Sequence, residues 1–528
     1  MSSRKIRRSM FGFFMLSGSL AAWAQTPNAE DLVWQKSVQK FDTVRRSILQ
    51  QVDQEAHAGP FQPDWDSLKH YQIPDWYQDA KFGIFIHWGL YSVPAFDNEW
   101  YPRNMYLQGG KDFDHHVTTY GPQSKFGYKD FIPEFKAASF DPRAWAALFS
   151  KAGAKYVIPV AEHHDGFAMY NSDLNDWSAA RMGPKRDVVG ELATAVRAAG
   201  MHFGASSHRA EHYFFMNGGR EFDSDVRDPK YASFYGPAHA GVTDKNHQEW
   251  AAHPDSAYLD DWLARTTEIV TKYHPEVVWF DWWINTKEFE PYLKRFAAFY
   301  YNDAAKNHYT AAINYKFKAY PDGAAVLDIE RGLLDSSRDL LWQTDTSVSV
   351  KSWGYIEGDT FRSPESLIQQ LVDIVSKNGC LLLNVGPKPD GTIPEEAQRL
   401  LLDMGRWLNR NGEAIYGTRA WTVSGEGPTK VRGGSFHDTE TTGYSAQDIR
   451  FTTKAGAVYA IALGWPEGGE LTIKSMADGA PNVKLAPNHV HLLGSDAEIR
   501  WRRDKSGLHL TVPAGKSGEY AYVFKIST

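Results

Sequence analysis

A single cysteine, Cys380, in 528 residues excludes an intrachain disulfide and leaves no thiolate set for a metal. It falls in the apolar run Cys380-Leu381-Leu382-Leu383 and reads as a small buried filler. Basic surplus is also missing. With 57 Lys and Arg against 64 Asp and Glu, the formal net charge is −7, which argues against nucleic acid or an anionic membrane surface as a partner. No Gly-rich phosphate loop follows the first strand candidate, so a nucleotide site is not expected. Internal repeats, low-complexity tracts and polybasic runs are absent. The one long apolar run, residues 10–22, is too short to span a bilayer.

That run has another meaning. Arg4, Lys5, Arg7 and Arg8 precede it, and Ala22-Trp23-Ala24 follows as a small-x-small cleavage site. Residues 1–24 are therefore expected to be a signal peptide, with the mature protein periplasmic or secreted. The remaining length exceeds one ordinary core. Over residues 25–420, after a helical lead-in at 31–54, strand and helix patterns alternate. Strands are expected at 81–88, 155–161, 201–207, 277–281, 309–314, 325–329, 340–344 and 380–385. Helices are expected at 141–153, 187–199, 255–273, 289–306, 364–377 and 394–410. Eight strands in this rhythm predict a (β/α)8-like (TIM) barrel of the α/β class. From residue 421 helical periodicity stops. Short alternating segments at 458–463, 470–473, 498–501, 508–512 and 520–526 predict a C-terminal antiparallel β-sandwich over 421–528, packed against the barrel.

Aromatics are abundant, with 19 Trp and 26 Tyr. They cluster around one acid in Val277-Val278-Trp279-Phe280-Asp281-Trp282-Trp283. An Asp ending an apolar run often caps a helix. Indoles on both sides favour a sugar site instead, because flat rings cover the C–H faces of a pyranose while the carboxylate reacts. Other strand ends carry His87-Trp88-Gly89, Glu162-His163-His164-Asp165, Ser207-His208-Arg209 and Asp328-Ile329-Glu330. Polar residues at one end of successive strands are what a barrel active site requires. A metal reading competes, since His87, His163, His164, Asp165 and Asp281 could form a His/carboxylate cluster. Adjacent histidines within a strand point to opposite faces, which opposes His163 and His164 sharing an ion unless the strand has ended before them.

The motifs Lys81-Phe82-Gly83-Ile84-Phe85-Ile86-His87-Trp88-Gly89, Glu99-Trp100-Tyr101, His163-His164-Asp165-Gly166-Phe167, Trp279-Phe280-Asp281, Ser352-Trp353-Gly354-Tyr355 and Leu383-Asn384-Val385-Gly386-Pro387 are collinear. Together they resemble α-L-fucosidases of glycoside hydrolase family 29. The resemblance implies an exo-acting retaining hydrolase of terminal α-L-fucose, needing no cofactor and no metal. Asp281 matches the family's nucleophile. His87, His163 and His164 match positions that bond the fucose hydroxyls, and Trp100 lines the same pocket. Trp353 matches a ring against the sugar's apolar side, and His208 is a weaker match. Lys316 falls near where relatives carry an Arg. For the general acid/base the resemblance favours Glu330 over Glu357, while Gln343 is excluded because a neutral amide cannot shuttle a proton. Two alternatives remain at this level. One is a non-catalytic protein binding fucosylated glycans, and the other is a barrel glycosidase of different sugar specificity.

Overall fold

A computed structural model describes residues 28–240, 253–440, 443–480 and 487–527; the expected signal peptide lies outside them. Eight parallel strands close on themselves in chain order: β1 (Phe82–Ile86), β2 (Tyr156–Glu162), β3 (His202–Ser207), β4 (Val277–Phe280), β5 (Ala312–Lys316), β6 (Val326–Asp328), β7 (Trp342–Ser347) and β8 (Gly379–Val385). All eight expected strands are present. Those at 309–314 and 340–344 begin and end two or three residues later than the sequence pattern indicated. Polar or tyrosine residues such as Asn314, Lys316 and Asp345 occupy their inner positions and mask the apolar run.

The helices between strands follow their caps. Asp141 accepts from Arg143 N and Ala144 N to open Pro142–Lys151, with Pro142 at its first position. Gly153, at φ 91°, lets the chain leave that helix. Asp255 caps Ser256–Tyr273 through Tyr258 N. The lead-in is two helices, Ala29–Val38 and Asp42–Ala56. Arg45 from the second reaches Asp261 at 2.8 Å. Cys380 is fully buried in the barrel interior.

The C-terminal region is richer in strands than its sequence indicated. It contains β9 (Arg419–Glu426), β10 (Ile449–Lys454), β11 (Ala457–Ala462), β12 (Glu470–Ile473), β13 (His489–Leu492), β14 (Arg500–Asp504), β15 (Gly507–Thr511) and β16 (Tyr522–Ser527). They form a five-stranded sheet, β13-β16-β11-β10-β9, and a three-stranded one, β12-β15-β14. Phe451, Leu471, Leu508 and Phe524 meet in a shared core between them. The strands β9, β10 and β13 escaped the sequence pattern, β9 because it is only half-buried and shows little alternation. The sandwich packs on the barrel through polar anchors: Arg450 Nε bonds Asp373 Oδ1 at 2.6 Å, and Trp407 Nε1 bonds Ala521 O at 2.9 Å. No described helix is long and apolar enough to cross a membrane.

Candidate active site

The carboxyl ends of the strands open into a cavity of about 650 Å³, the barrel face where such sites are built. His87, Trp100, His163, His164, His208, Asp281, Glu330 and Trp353 all line it. So these eight residues, each assigned to the site from the sequence, meet in one cavity. Glu357 does not; it is an exposed turn residue. Gln343 lies on the barrel floor, where its amide oxygen accepts from Tyr77 and Tyr156 at 2.7 Å and its nitrogen donates to Asp328.

Asp281 directly follows β4 and caps no helix, since the next helix opens at Glu290. Its Oδ1 accepts from Trp282 N at 2.9 Å and lies 3.3 Å from Lys316 Nζ. Its Oδ2 accepts from His208 Nδ1 at 2.8 Å and is 3.4 Å from His164 Nε2. Burial alone would raise this carboxyl, but Lys316, His208 and His164 outweigh it and hold Asp281 well below the usual carboxylate range.

Lys316, the last residue of β5, brings an ammonium into the site. Its Nζ bonds Glu330 Oε2 at 2.6 Å and stands 3.3 Å from both Asp281 Oδ1 and Asp345 Oδ2. Burial disfavours the ammonium, yet Asp345, Glu330 and Asp281 together raise it well above the ordinary lysine value. Because one nitrogen contacts both, the facing oxygens of Asp281 and Glu330 lie within about 5.9 Å, the two distances combined. Trp282 Nε1 also donates to Glu330. Asp345 is buried beside Asp328, and desolvation followed by that neighbour pushes its carboxyl well up.

The imidazoles divide by environment. Burial, then His208, holds His87 well below the usual histidine value, and its Nδ1 pairs with Asn384 Oδ1 at 2.8 Å. Burial likewise lowers His163, whose Nδ1 has no hydrogen-bond partner. His208 is pushed down to about 4 by burial, against the pull of Asp281. Neutral His208 thus donates through Nδ1 to Asp281, while Nε2 accepts from Ser206 Oγ at 3.0 Å. His164 is the exception. Burial opposes its charge, but Glu211 Oε2 at 3.0 Å and Asp281 raise it to about 9.

For His163 and His164 the strand has ended, so the opposite-face rule does not apply. β2 ends at Glu162, so both rings leave the pleat and lie 4.3 Å apart in the cavity wall. Three-donor groups do exist: His87, His163 and His208, and His164, His208 and Asp281, their atoms within 4.8 Å of one another. His208 is already spoken for on both nitrogens, and the Lys316 ammonium provides the positive charge beside Asp281. His212, four residues after His208, has the spacing of a helical metal pair, but its Nδ1 bonds His164 O at 2.7 Å.

A buried ion network holds this wall from behind. Arg209 bridges Glu162 and Asp261 at 2.6 Å each, and Arg265 joins Glu162 at 2.5 Å. The turn carrying His208 is thereby tied to the end of β2. On the opposite side Glu99 Oε2 accepts from Trp353 N at 2.8 Å, and Asn384 Nδ2 donates to Trp353 O at 2.7 Å. Glu99 and Asn384 lay inside the motifs but carried no assigned role; Lys316 stood out only as lying near an Arg of relatives, and Asp345 carried no chemical signal until the barrel closed.

Comparison with known proteins agrees with this geometry. A profile described as alpha-L-fucosidase matches residues 48–413, and one described as alpha-L-fucosidase C-terminal domain matches 443–527. The chain is 30% identical over 487 residues to the tissue alpha-L-fucosidase of Homo sapiens, covering 88% of this chain and 92% of that protein. It is 32% identical over 491 residues to the plasma alpha-L-fucosidase of Homo sapiens, covering 87% and 90%. The crystal structure of Thermotoga maritima alpha-fucosidase with a mechanism-based inhibitor superposes with TM-score 0.70 at 32% identity, covering 89% of this chain and all of that one. This chain belongs to the alpha-L-fucosidase family of glycoside hydrolases.

Proposed function

We propose that the protein is an exo-acting, retaining α-L-fucosidase, with Asp281 as nucleophile and Glu330 as general acid/base. The observation that carries this reading is the Lys316 bridge, which keeps the facing oxygens of the two carboxyl groups within about 5.9 Å. Retaining pairs stand about 5–5.5 Å apart, whereas inverting pairs need about 6.5–9.5 Å to admit a water. In this reading ionised Asp281, aimed by Trp282 N and His208, attacks the anomeric carbon of a terminal fucosyl residue. Glu330 gives its proton to the departing oxygen, and a covalent fucosyl-enzyme forms. Glu330 then takes a proton from water, which displaces Asp281 with restored configuration.

His87, His163 and His164 bond the sugar hydroxyls. A hydroxyl partner would satisfy the unmatched Nδ1 of His163. Trp100 and Trp353 wall the apolar side. Fucosylated oligosaccharides or glycoconjugates are the substrates, and export by the N-terminal segment places the enzyme in the periplasm or outside the cell.

The test is hydrolysis of 4-nitrophenyl α-L-fucoside by the wild type and by Asp281→Gly. The wild type turns it over, the variant loses nearly all activity, and azide restores part of it. Substantial unaided turnover by the variant removes Asp281 as nucleophile. A wild type inert toward this substrate but able to bind fucosylated glycans makes the protein a lectin-like binder. Faster cleavage of another aryl glycoside reassigns its specificity.

A further inference from the structure

Phe436 belongs to the chain between β9 and β10, in the C-terminal part of the molecule, yet its side chain lines the barrel's cavity. It is 58% exposed, the most exposed large apolar side chain among the described residues. Its backbone sits at φ 63°, a left-handed conformation that bulky residues avoid. Such strain persists only where the surroundings impose it, and it concentrates at functional sites.

The surroundings do impose it. Phe436 N donates to Glu330 O at 3.0 Å, and His437 N and Asp438 N donate to Arg331 O at 2.9 and 3.0 Å. Gly434 and Leu333 exchange a pair of backbone hydrogen bonds one step earlier. Asp438 is buried, accepting from Thr346 Oγ1 and from Arg362 Nη1 at 3.0 Å. Gly434, Phe436, His437 and Asp438, from the loop between β9 and β10, are thus stitched to residues 330–333 around Glu330. What they hold out is an uncovered phenyl ring. Folding gains nothing from a strained, solvent-facing Phe, so the ring's use lies in the cavity. Trp283 and Phe317, also in the cavity wall, share the left-handed backbone at φ 78° and 58°.

We propose that Phe436 is a specificity residue, forming an aromatic platform on which the sugar next to fucose stacks as leaving group. This rests on the reading of Glu330 as acid/base. The residue that protonates the departing oxygen borders the leaving group, and Phe436 is bonded to that residue's own carbonyl. The occupant is a pyranose whose C–H face meets the ring, held by dispersion and hydrophobic contact rather than by hydrogen bonds.

The experiment compares a fucosyl-galactose disaccharide, whose leaving group is a pyranose, with α-L-fucosyl fluoride, whose leaving group has no ring. In Phe436→Ala, kcat/KM for the disaccharide falls about tenfold, while that for the fluoride stays within about twofold. Phe436→Trp keeps most of the disaccharide activity, because a ring is restored. Equal losses on both substrates would mean a structural role, and no loss on either would mean an idle ring; each overturns the platform. A wild type inert toward fucosyl fluoride overturns the hydrolase reading itself, and the platform with it.

Discussion

The charge on His164 makes a prediction whose size follows from the structure. Its imidazole is 3% exposed and lies between Glu211 and Asp281, which hold it protonated to about pH 9 against an ordinary value of 6.5. A group whose folded value is raised stabilises the folded state fully below its unfolded value and loses that contribution as pH climbs through the folded one. For His164 the window runs from 6.5 to about 9. The difference amounts to about 3 kcal/mol. Spread over the barrel at about 2.1 cal/mol/K per residue, that is roughly 4 °C in Tm. His164→Gln removes the charge and keeps a polar side chain of similar reach. The assay is thermal unfolding of wild type and variant at pH 6 and pH 9.5. The Tm gap should be about 4 °C wider at pH 6 than at pH 9.5, because at pH 9.5 the wild-type ring has also lost its proton. Packing changes caused by the substitution contribute equally at both values and cancel. A gap independent of pH would mean that His164 is neutral in the folded protein, and the electrostatic description of this wall would fail.

Two further outcomes concern the carboxylates. In Glu330→Ala, substrates with poor leaving groups should lose far more activity than activated aryl fucosides, since only the former need a proton from the enzyme; a uniform loss would argue against the acid role. Lys316→Met leaves Asp281 and Glu330 without their shared cation at a buried position and should cost about 3–5 kcal/mol at pH 7. Asp281 is held low in the wild type, so the stability its charge contributes is present above the unfolded value of 3.8 and lost as pH falls. The gap in urea midpoint between wild type and Lys316→Met should therefore narrow as pH falls below about 4 toward 2, and a constant gap over that range would show that Lys316 is not the counter-ion of this site.

The barrel was legible because most of its strands are short apolar runs and several of its helices open at Asp or Pro, as at Asp141-Pro142 and Asp255. The site was legible as residues standing immediately after strands, where His87, His163, His208 and Asp281 stop the apolar pattern. Lys316 was less so, because the strand expected at 309–314 stopped short of it and only the resemblance set it near an Arg of relatives. Its meaning appears when β5 is laid beside β4 and β6 and three acids converge on one nitrogen. His163 and His164 both stand past the end of β2 at Glu162, where pleat alternation no longer separates neighbouring side chains. Phe436 is separated from Glu330 by more than one hundred residues and lies among Gly433, Gly434 and Ser435, so nothing local marks it. Only the hydrogen bonds to residues 330 and 331 place it.

The central claim is that Asp281 attacks the sugar. The direct measurement is inactivation with 2-deoxy-2-fluoro-α-L-fucosyl fluoride, proteolysis, and mass-spectrometric location of the label. A 2-deoxy-2-fluorofucosyl ester on Asp281, within Val277–Trp283, is the predicted result. A label on Glu330, Asp345 or any other residue would contradict it, as would release of inverted product by the wild type with no covalent adduct at all.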